Sequence, residues 1–555
     1  MDTTTNTSFR KILEELEERI TVLPAPYPRY VVFLSSSNGQ ERARVTTITA
    51  NDFQDLKHQL TRAHLKPQRS AKFLRLDWVA SVRAMPYGDY VKALQVVKRN
   101  YSRKGLSFDA AFNRALTEAE INANALLYRG AKVPHCEVNL NNLKVYWKRR
   151  FAEAVQMPAP SDMIYLFTSE GLFREKNDDV VTRLLPTGPN AGRRTFNMNE
   201  PPQLESVIRD GARYLANEVN TDGTFNYGWF PCFDRPIDHY NTLRHASSTY
   251  ALSEAYGLLR TETLRASIER SLHHLATKRI IQPLGPTGPA YLVDLANEIK
   301  LGGNAVAILA ICKHAQTTGD RQYIPLAERL GEGILSMKRA DGSFNHVLHA
   351  DSLELKQQRR TVYYDGEAAF ALVRLHEITG DARWLEAVRQ AVAQFIEKDY
   401  WQYNDHWLAY CMAELLRHDP DPEYVRFAVR NVKDYLGFIA GRITTFPTLL
   451  ELCCATRLLI RQALEDPALR PCLEGLNLPS FVNAMEARAQ YLANGVFFPE
   501  VAMHFRNPER IMGSFFIRHH GFRVRIDDVE HYLSGLIAYR DYLDDREAFA
   551  SMVGK

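Results

Sequence analysis

A helical repeat in the second part of the chain constrains its fold more than any other feature. The string Thr221-Asp-Gly-Thr-Phe-Asn226 returns about 120 residues later as Ala340-Asp-Gly-Ser-Phe-Asn345. Each copy follows a helical pattern. Each is followed in turn by a helix of small residues, Ala246-Ser-Ser-Thr-Tyr-Ala-Leu252 and Gly366-Glu-Ala-Ala-Phe-Ala-Leu372. The unit is therefore two helical hairpins of about 60 residues each. Finer copies fit this frame. Gly302-Gly-Asn-Ala305 opens a helix that reaches Thr318-Gly-Asp320, and Glu367 opens one that reaches Thr379-Gly-Asp381. In such a turn the Gly ends one helix and the Asp caps the next.

Six segments follow this plan, each a short polar or aromatic string running into an apolar helix. They start at Asp238-His-Tyr-Asn241, Leu301-Gly-Gly-Asn304, Tyr363-Tyr-Asp365, Tyr403-Asn-Asp-His406, Phe446-Pro-Thr448 and Arg525-Ile-Asp-Asp528. Inner helices are predicted near 242–257, 303–316, 365–378, 405–417, 447–462 and 527–541. Outer helices are predicted near 202–218, 262–278, 321–337, 382–397, 422–437 and 480–494. Inner helices are rich in Ala, Ser and Gly because they crowd an axis, and outer ones carry charge on one face. Six pairs close into an (α/α)6 toroid, which makes the chain mainly α.

Residues 1–183 read as an N-terminal α+β domain. Runs at 29–37 and 43–50 flank Asn38-Gly39, a hairpin signal, and 72–82 is another strand. Helices are predicted near 51–64, 88–98 and 108–128. A second hairpin is predicted from Met163 to Glu175 around Ser169-Glu-Gly171. The Pro- and Gly-rich stretch 184–200 reads as a linker, and the toroid as 201–545. The run 495–524 has no place in the repeat.

Hydrophobic residues make up 45% of the chain and charged ones 24%, the balance of a soluble globular protein. A net charge of +4 gives no reason to expect a nucleic-acid partner. No apolar run is long enough for a membrane span, and the polar N-terminus lacks the apolar core of a secretory signal. Seven scattered Cys suit reduced thiols, so a cytoplasmic location is expected. Oligomeric state is not legible.

The helix starts hold ionisable groups: Asp365, Glu367, Asp405, His406, Glu451, Asp527, Asp528 and His531. Each alone fits helix capping. Spread over several starts at one end of a toroid, they fit a cavity mouth. The candidate catalytic residues are Asp365 or Glu367 paired with Asp405 or Glu451, as two carboxylates for glycoside hydrolysis, together with His406 and His531. Candidate substrate-binding residues are Trp229, Tyr240, Asn241, Arg244, His245, Asn304, Tyr364, Trp407, Asp527 and Asp528. Aromatic faces stack on sugar rings, and polar groups bind hydroxyls. Neither HExxH nor a Cys/His cluster is present, so no metal is expected, and no P-loop or dinucleotide fingerprint suggests a cofactor.

Paired helices joined by Asp-Gly-Thr/Ser-Phe turns resemble the toroids of six-hairpin glycosidases, sugar 2-epimerases and terpene cyclases, over about 200–541. The resemblance to epimerases implies an Arg on the first inner helix and His on later ones, the order of Arg244, His406 and His531. It implies a carbohydrate-active enzyme whose substrate is neutral or acidic. Glycoside hydrolysis leads, with polysaccharide as the expected substrate class; sugar epimerisation or isomerisation by a His pair is the alternative. A non-catalytic scaffold that binds glycan or peptide is the third reading.

Overall fold

The computed structural model describes residues 3–65, 71–176, 178 and 180–554, with the side chains of 3–8 and 65 left aside. Met1 and Asp2 of the polar N-terminus lie outside the described residues. Among the described residues no helix is long and apolar enough to cross a membrane. The chain divides into two compact units, both discontinuous in sequence. The first comprises 1–196, 229–236 and 493–524; the second comprises 197–228, 237–492 and 525–555. The sequence boundaries at 183 and 200 are continuous ones, whereas these units interleave.

The first unit is built on an antiparallel sheet. Its strands are β1 (Tyr30–Ser37), β2 (Arg44–Ala50), β3 (Phe73–Pro86), β4 (Gly105–Ser107), β5 (Ala115–Leu116), β6 (Met163–Glu175) and β7 (Thr182–Leu184). The order is β2-β1-β3-β6-β4-β5, with β7 also paired to β6. Both faces are covered. Val32 and Leu34 of β1 meet Phe9, Ile12, Leu56 and Leu60 from two helices. Val31 and Phe33 point the other way and meet Phe112 and Phe167. Burial on both sides explains why Val31–Leu34 of β1 is an unbroken apolar run rather than an alternating one.

Two local expectations fail here. The segment Met163–Glu175 is one strand, not a hairpin. It pairs with β3 along its whole length, from Pro86↔Met163 to Phe73↔Glu175, and a bulge between Val79 and Ser81 keeps it in register. Gly171 marks a close approach rather than a turn, since a Cβ there would lie 2.7 Å from Asp77 Oδ1. The helix predicted at 108–128 is instead the β4–β5 hairpin followed by a short helix, Glu118–Ala123. Asp109 accepts from the backbone N–H groups of Asn113 and Arg114 (3.0 and 2.8 Å), which fixes a turn where helix was expected.

The second unit is the (α/α)6 toroid. Its inner helices are Thr242–Leu259, Leu301–Thr318, Tyr363–Thr379, His406–His418, Thr448–Glu465 and Ile526–Val553. Each packs on the next, and the sixth packs on the first, so the ring closes. The outer helices are Pro201–Asn217, Glu262–His274, Ile324–Met337, Ala382–Glu397, Pro422–Val432 and Leu478–Leu492. The inner helices are buried almost all round, which their small residues permit.

The repeated Asp-Gly turns are superimposable in their bonding. Asp222 accepts from Thr224 N–H and Asp341 from Ser343 N–H, both at 3.0 Å. Asn226 N–H donates to Glu218 O and Asn345 N–H to Met337 O, both at 2.8 Å. Gly223 and Gly342 adopt φ of +85° and +86°, pressed against Arg270 O and Gln390 O of an outer helix. One finer copy differs. Asp381 caps its helix by accepting from Arg383 N–H, whereas the helix after Asp320 begins only at Ile324, next to Pro325.

Candidate active site

The starts of the inner helices surround a cavity of about 590 Å³. Asn241 caps the first helix by accepting from Arg244 N–H at 3.2 Å, which sets Arg244 on the cavity wall. Asp405 caps the fourth by accepting from Trp407 N–H at 2.9 Å, which sets His406 and Trp407 there. The third contributes Tyr364 and Glu367, and the sixth Asp527, Asp528 and His531. The second helix contributes space: a Cβ on Gly302 would lie 1.9 Å from Glu367 Oε2.

Two imidazoles meet at the cavity wall. The rings of His406 and His531 lie 5.4 Å apart, nearly edge to face. His406 is buried, and its Nε2 has no hydrogen-bond partner. Burial, then the charges of His531 and Arg244, push its pKa well below the usual value. His531 is pushed the other way, up to about 10. Burial opposes its charge, but Glu530, Glu451 and Asp527 more than offset that. Its Nδ1 lies 2.9 Å from Glu451 Oε2, and its Nε2 lies 3.4 Å from Glu530 Oε2 and 3.8 Å from Asp527 Oδ1. Around neutral pH His406 is therefore neutral and His531 is a cation.

The carboxylates differ in their hydrogen bonding. Asp527 contacts the Arg244 guanidinium and accepts from Arg525 at 2.9 Å, and Asp528 accepts from Arg525 at 3.0 and 3.2 Å. Glu367 Oε2 has no hydrogen-bond partner. Burial raises its pKa to about 7, against Arg244 and His531, which hold it down. Glu530 is fully buried with neither carboxylate oxygen hydrogen-bonded, and burial pushes its pKa well up.

Other candidates stand apart from the cavity. Asp365 lies 3.2 Å from His346 Nε2; the Nδ1 of that ring accepts from Arg360 N–H at 2.9 Å, so Nε2 carries the proton. Asp405 is fully buried behind His406, its Oδ1 3.5 Å from that ring's Nδ1. Glu451 reaches the site only through His531. His245 bonds Tyr240 Oη (2.6 Å) and Ser271 O (3.1 Å), and burial drives its pKa down to about 3. Its Nε2 also lies 2.7 Å from Ser271 Oγ, so Tyr240 and Ser271 hold the ring from both sides. Asn304 accepts from Leu292 N–H and donates to Lys300 O, tying its helix to adjacent strands. Trp229 belongs to the first unit, with Arg510 4.1 Å from its ring centre.

Sequence reasoning missed Arg525, Glu530, Arg360, Arg442 and the aromatic Tyr435 and Phe438. Arg525 and Glu530 lie inside the string that opens the sixth inner helix, so their spacing from His531 was available. Arg360 and Arg442 lie in irregular segments that no periodicity marks. Arg360 is held by a bidentate pair to Glu298 (2.6 and 3.0 Å), and Arg442 lies over the rings of Phe438 and Phe446. Among the described residues two groups bring ligand atoms within 4.8 Å of one another and could hold a metal: His406 with Glu451 and His531, and Asp527 with Glu530 and His531. Arg244 already occupies Asp527 Oδ1 in the second group.

No family model matches the chain, and no curated protein sequence matches it. Solved structures do. A D-mannose isomerase is 12% identical with a TM-score of 0.45, covering 62% of this chain and 97% of its own. A sugar epimerase from a ruminal bacterium is 12% identical with a TM-score of 0.47, covering 60% and 98%. An α-mannanase of Bacteroides thetaiotaomicron is 12% identical with a TM-score of 0.45, covering 62% and 97%.

Proposed function

We propose that the chain is a carbohydrate-active enzyme that moves a proton on and off a carbon beside a sugar carbonyl, as an epimerase or isomerase. One observation carries this reading: two imidazoles share a cavity with proton affinities pushed in opposite directions. Groups driven apart in this way are suited to be base and acid. His406 Nε2 takes the proton from the carbon next to the carbonyl of the open-chain sugar. The electron pair moves onto the carbonyl oxygen, and Arg244 and His531 stabilise the resulting enediolate. A proton from His531 then reaches the other face of the same carbon, giving the epimer, or the neighbouring carbon, with the hydroxyl proton passing to the former carbonyl oxygen, giving the isomer. Tyr364, Trp407, Tyr435 and Phe438 offer faces for a sugar ring. Arg360 and Arg442 on the wall suit an acidic sugar as well as a neutral one.

The test is deuterium uptake at carbon 2, followed by NMR, for a panel of neutral and acidic aldoses and ketoses in deuterated water. The wild type is expected to exchange at least one. His406→Asn and His531→Asn should each lower the rate on the order of 10²–10⁴-fold. No exchange with any sugar in the panel overturns the reading.

Hydrolysis stands second, on the strength of Glu367. Its carboxyl has a partnerless oxygen on the cavity wall and a pKa of about 7, fit for a general acid. Release of reducing sugar from oligosaccharides by the wild type and not by Glu367→Gln, without deuterium exchange, would select it.

A further inference from the structure

A second cavity lies within the first unit. It encloses about 80 Å³ and is lined by Arg103, Arg193 and Arg518 together with Glu118 and His504. A buried water needs only about 10–15 Å³ by the same measure, so a small polyatomic ion has room.

Its charges do not balance. Glu118 is the one carboxylate among the lining residues, and its Oε1 is shared by Arg103 at 2.8 Å and Arg518 at 3.3 Å. Arg193 and Arg518 are 4% and 2% exposed, which leaves little water to solvate them. The fourth lining arginine, Arg75, is cancelled by Asp77 through bonds of 2.8 to 3.0 Å. Glu500 nearby is held by Arg194 at 2.8 to 3.1 Å. The arginines also donate to backbone carbonyls: Arg103 to Ala191 O at 2.8 Å and Arg518 to Asn100 O at 2.6 Å, while Arg193 contacts Asn494. Those bonds aim the guanidinium groups but carry no opposite charge. Three cations thus face one anion, and two of the three are buried from water, an arrangement that is costly without a counter-charge. His504 adds a separate sign of a missing partner: it is 2% exposed, and its Nε2 has no hydrogen-bond partner. Burial, then mutual repulsion, lowers Arg193 to about 9 and Arg518 to about 10, so both are charged at neutral pH.

We propose that this cavity binds a tetrahedral oxyanion, a phosphate or sulfate group, between Arg103, Arg193 and Arg518. Guanidinium forks match such oxygens in pairs. The group arrives either as the free ion or on a phosphorylated sugar.

Calorimetric titration of the full chain with inorganic phosphate, sulfate and a hexose 6-phosphate tests this, with ionic strength held constant by chloride. Saturable one-site binding is expected. Comparable affinity for the three marks a free-ion site, and at least tenfold tighter hexose phosphate marks a phosphorylated sugar. Arg103→Gln should weaken binding at least tenfold. Glu118→Gln removes the one competing negative charge and should tighten it severalfold. No saturable binding of any probe overturns the proposal, and so does binding that neither variant changes. If Arg103→Gln does not fold, Glu118→Gln decides alone: unchanged or weaker affinity overturns the site.

Discussion

At the scale of single residues, the pair His531 and Glu451 sets the behaviour of the toroid cavity. A folded-state pKa of about 10 means that the folded chain holds a proton which the unfolded chain, at the ordinary 6.5, releases. The stabilisation is complete below 6.5 and is lost as pH rises through about 10. The melting temperature should therefore fall steadily between pH 7 and pH 10, as a thermal scan in matched buffers would record. Activity shares the limit. If His531 is the acid, kcat/KM should decline on the alkaline side near pH 10. Glu451→Gln removes a carboxylate 2.9 Å from the ring. It should draw that alkaline limb down by about 1–3 pH units. A limb that does not move would mean that His531 is not the titrating acid.

At the scale of elements, the helix starts were legible because a polar string, a turn residue and a small-residue run coincide at each. Which side chain faces the cavity was not. Successive residues of a helix turn by about 100°, so Asp365 and Glu367, two apart, point to opposite sides. One meets His346 and the other the cavity. The same rotation separates Arg244 from His245 and Asp405 from His406. Pattern alone gives a residue's height on a helix and leaves its azimuth open until neighbouring helices fix it. The strand Met163–Glu175 eluded sequence reasoning for a related reason. Its glycine reports a neighbour, Asp77, that lies far away in sequence.

Two glycines turn this into expected outcomes. Gly342→Ala places a Cβ at positive φ and 2.6 Å from Gln390 O. It should cost at least about 1–2 kcal/mol in urea unfolding. Gly302→Ala is different, because alanine favours a helix by about 1 kcal/mol over glycine. Its Cβ would overlap Glu367 Oε2 and press on the Tyr364 ring, 2.5 Å from Cδ1. The variant should stay folded yet shift or abolish the titration of Glu367, seen by NMR of the labelled carboxyl. An unchanged titration would mean that the carboxyl has room elsewhere and that the glycine is incidental.

At the scale of the whole molecule, closure of the ring makes the sixth inner helix a structural requirement. Ile526–Val553 joins the fifth inner helix to the first, and Arg457 bonds Asp545 while Tyr542 bonds Glu486. Truncation before Ile526 should remove far more helical signal by circular dichroism than that one helix accounts for, since its neighbours lose their buried faces. Loss of only the helix's own share would show that the open ring is stable.

The interleaving of the two units has a consequence for how the chain is made. The sheet of the first unit is synthesised early, but Arg75 donates to Glu500 O, and Arg194 pairs with Glu500. These partners leave the ribosome about 300 residues after Arg194, roughly 15–60 s at 5–20 residues per second. Through that interval Arg75 has Asp77 and Arg194 has Glu175, but both lack the bonds to Glu500 that complete their sites, and the intervening helices emerge beside the sheet. Ribosome-bound chains arrested near residue 400 should be cut readily by protease within 1–196, and release of the full chain should close those sites. The sheet is translated ahead of residues 493–524 and is completed only once they have emerged.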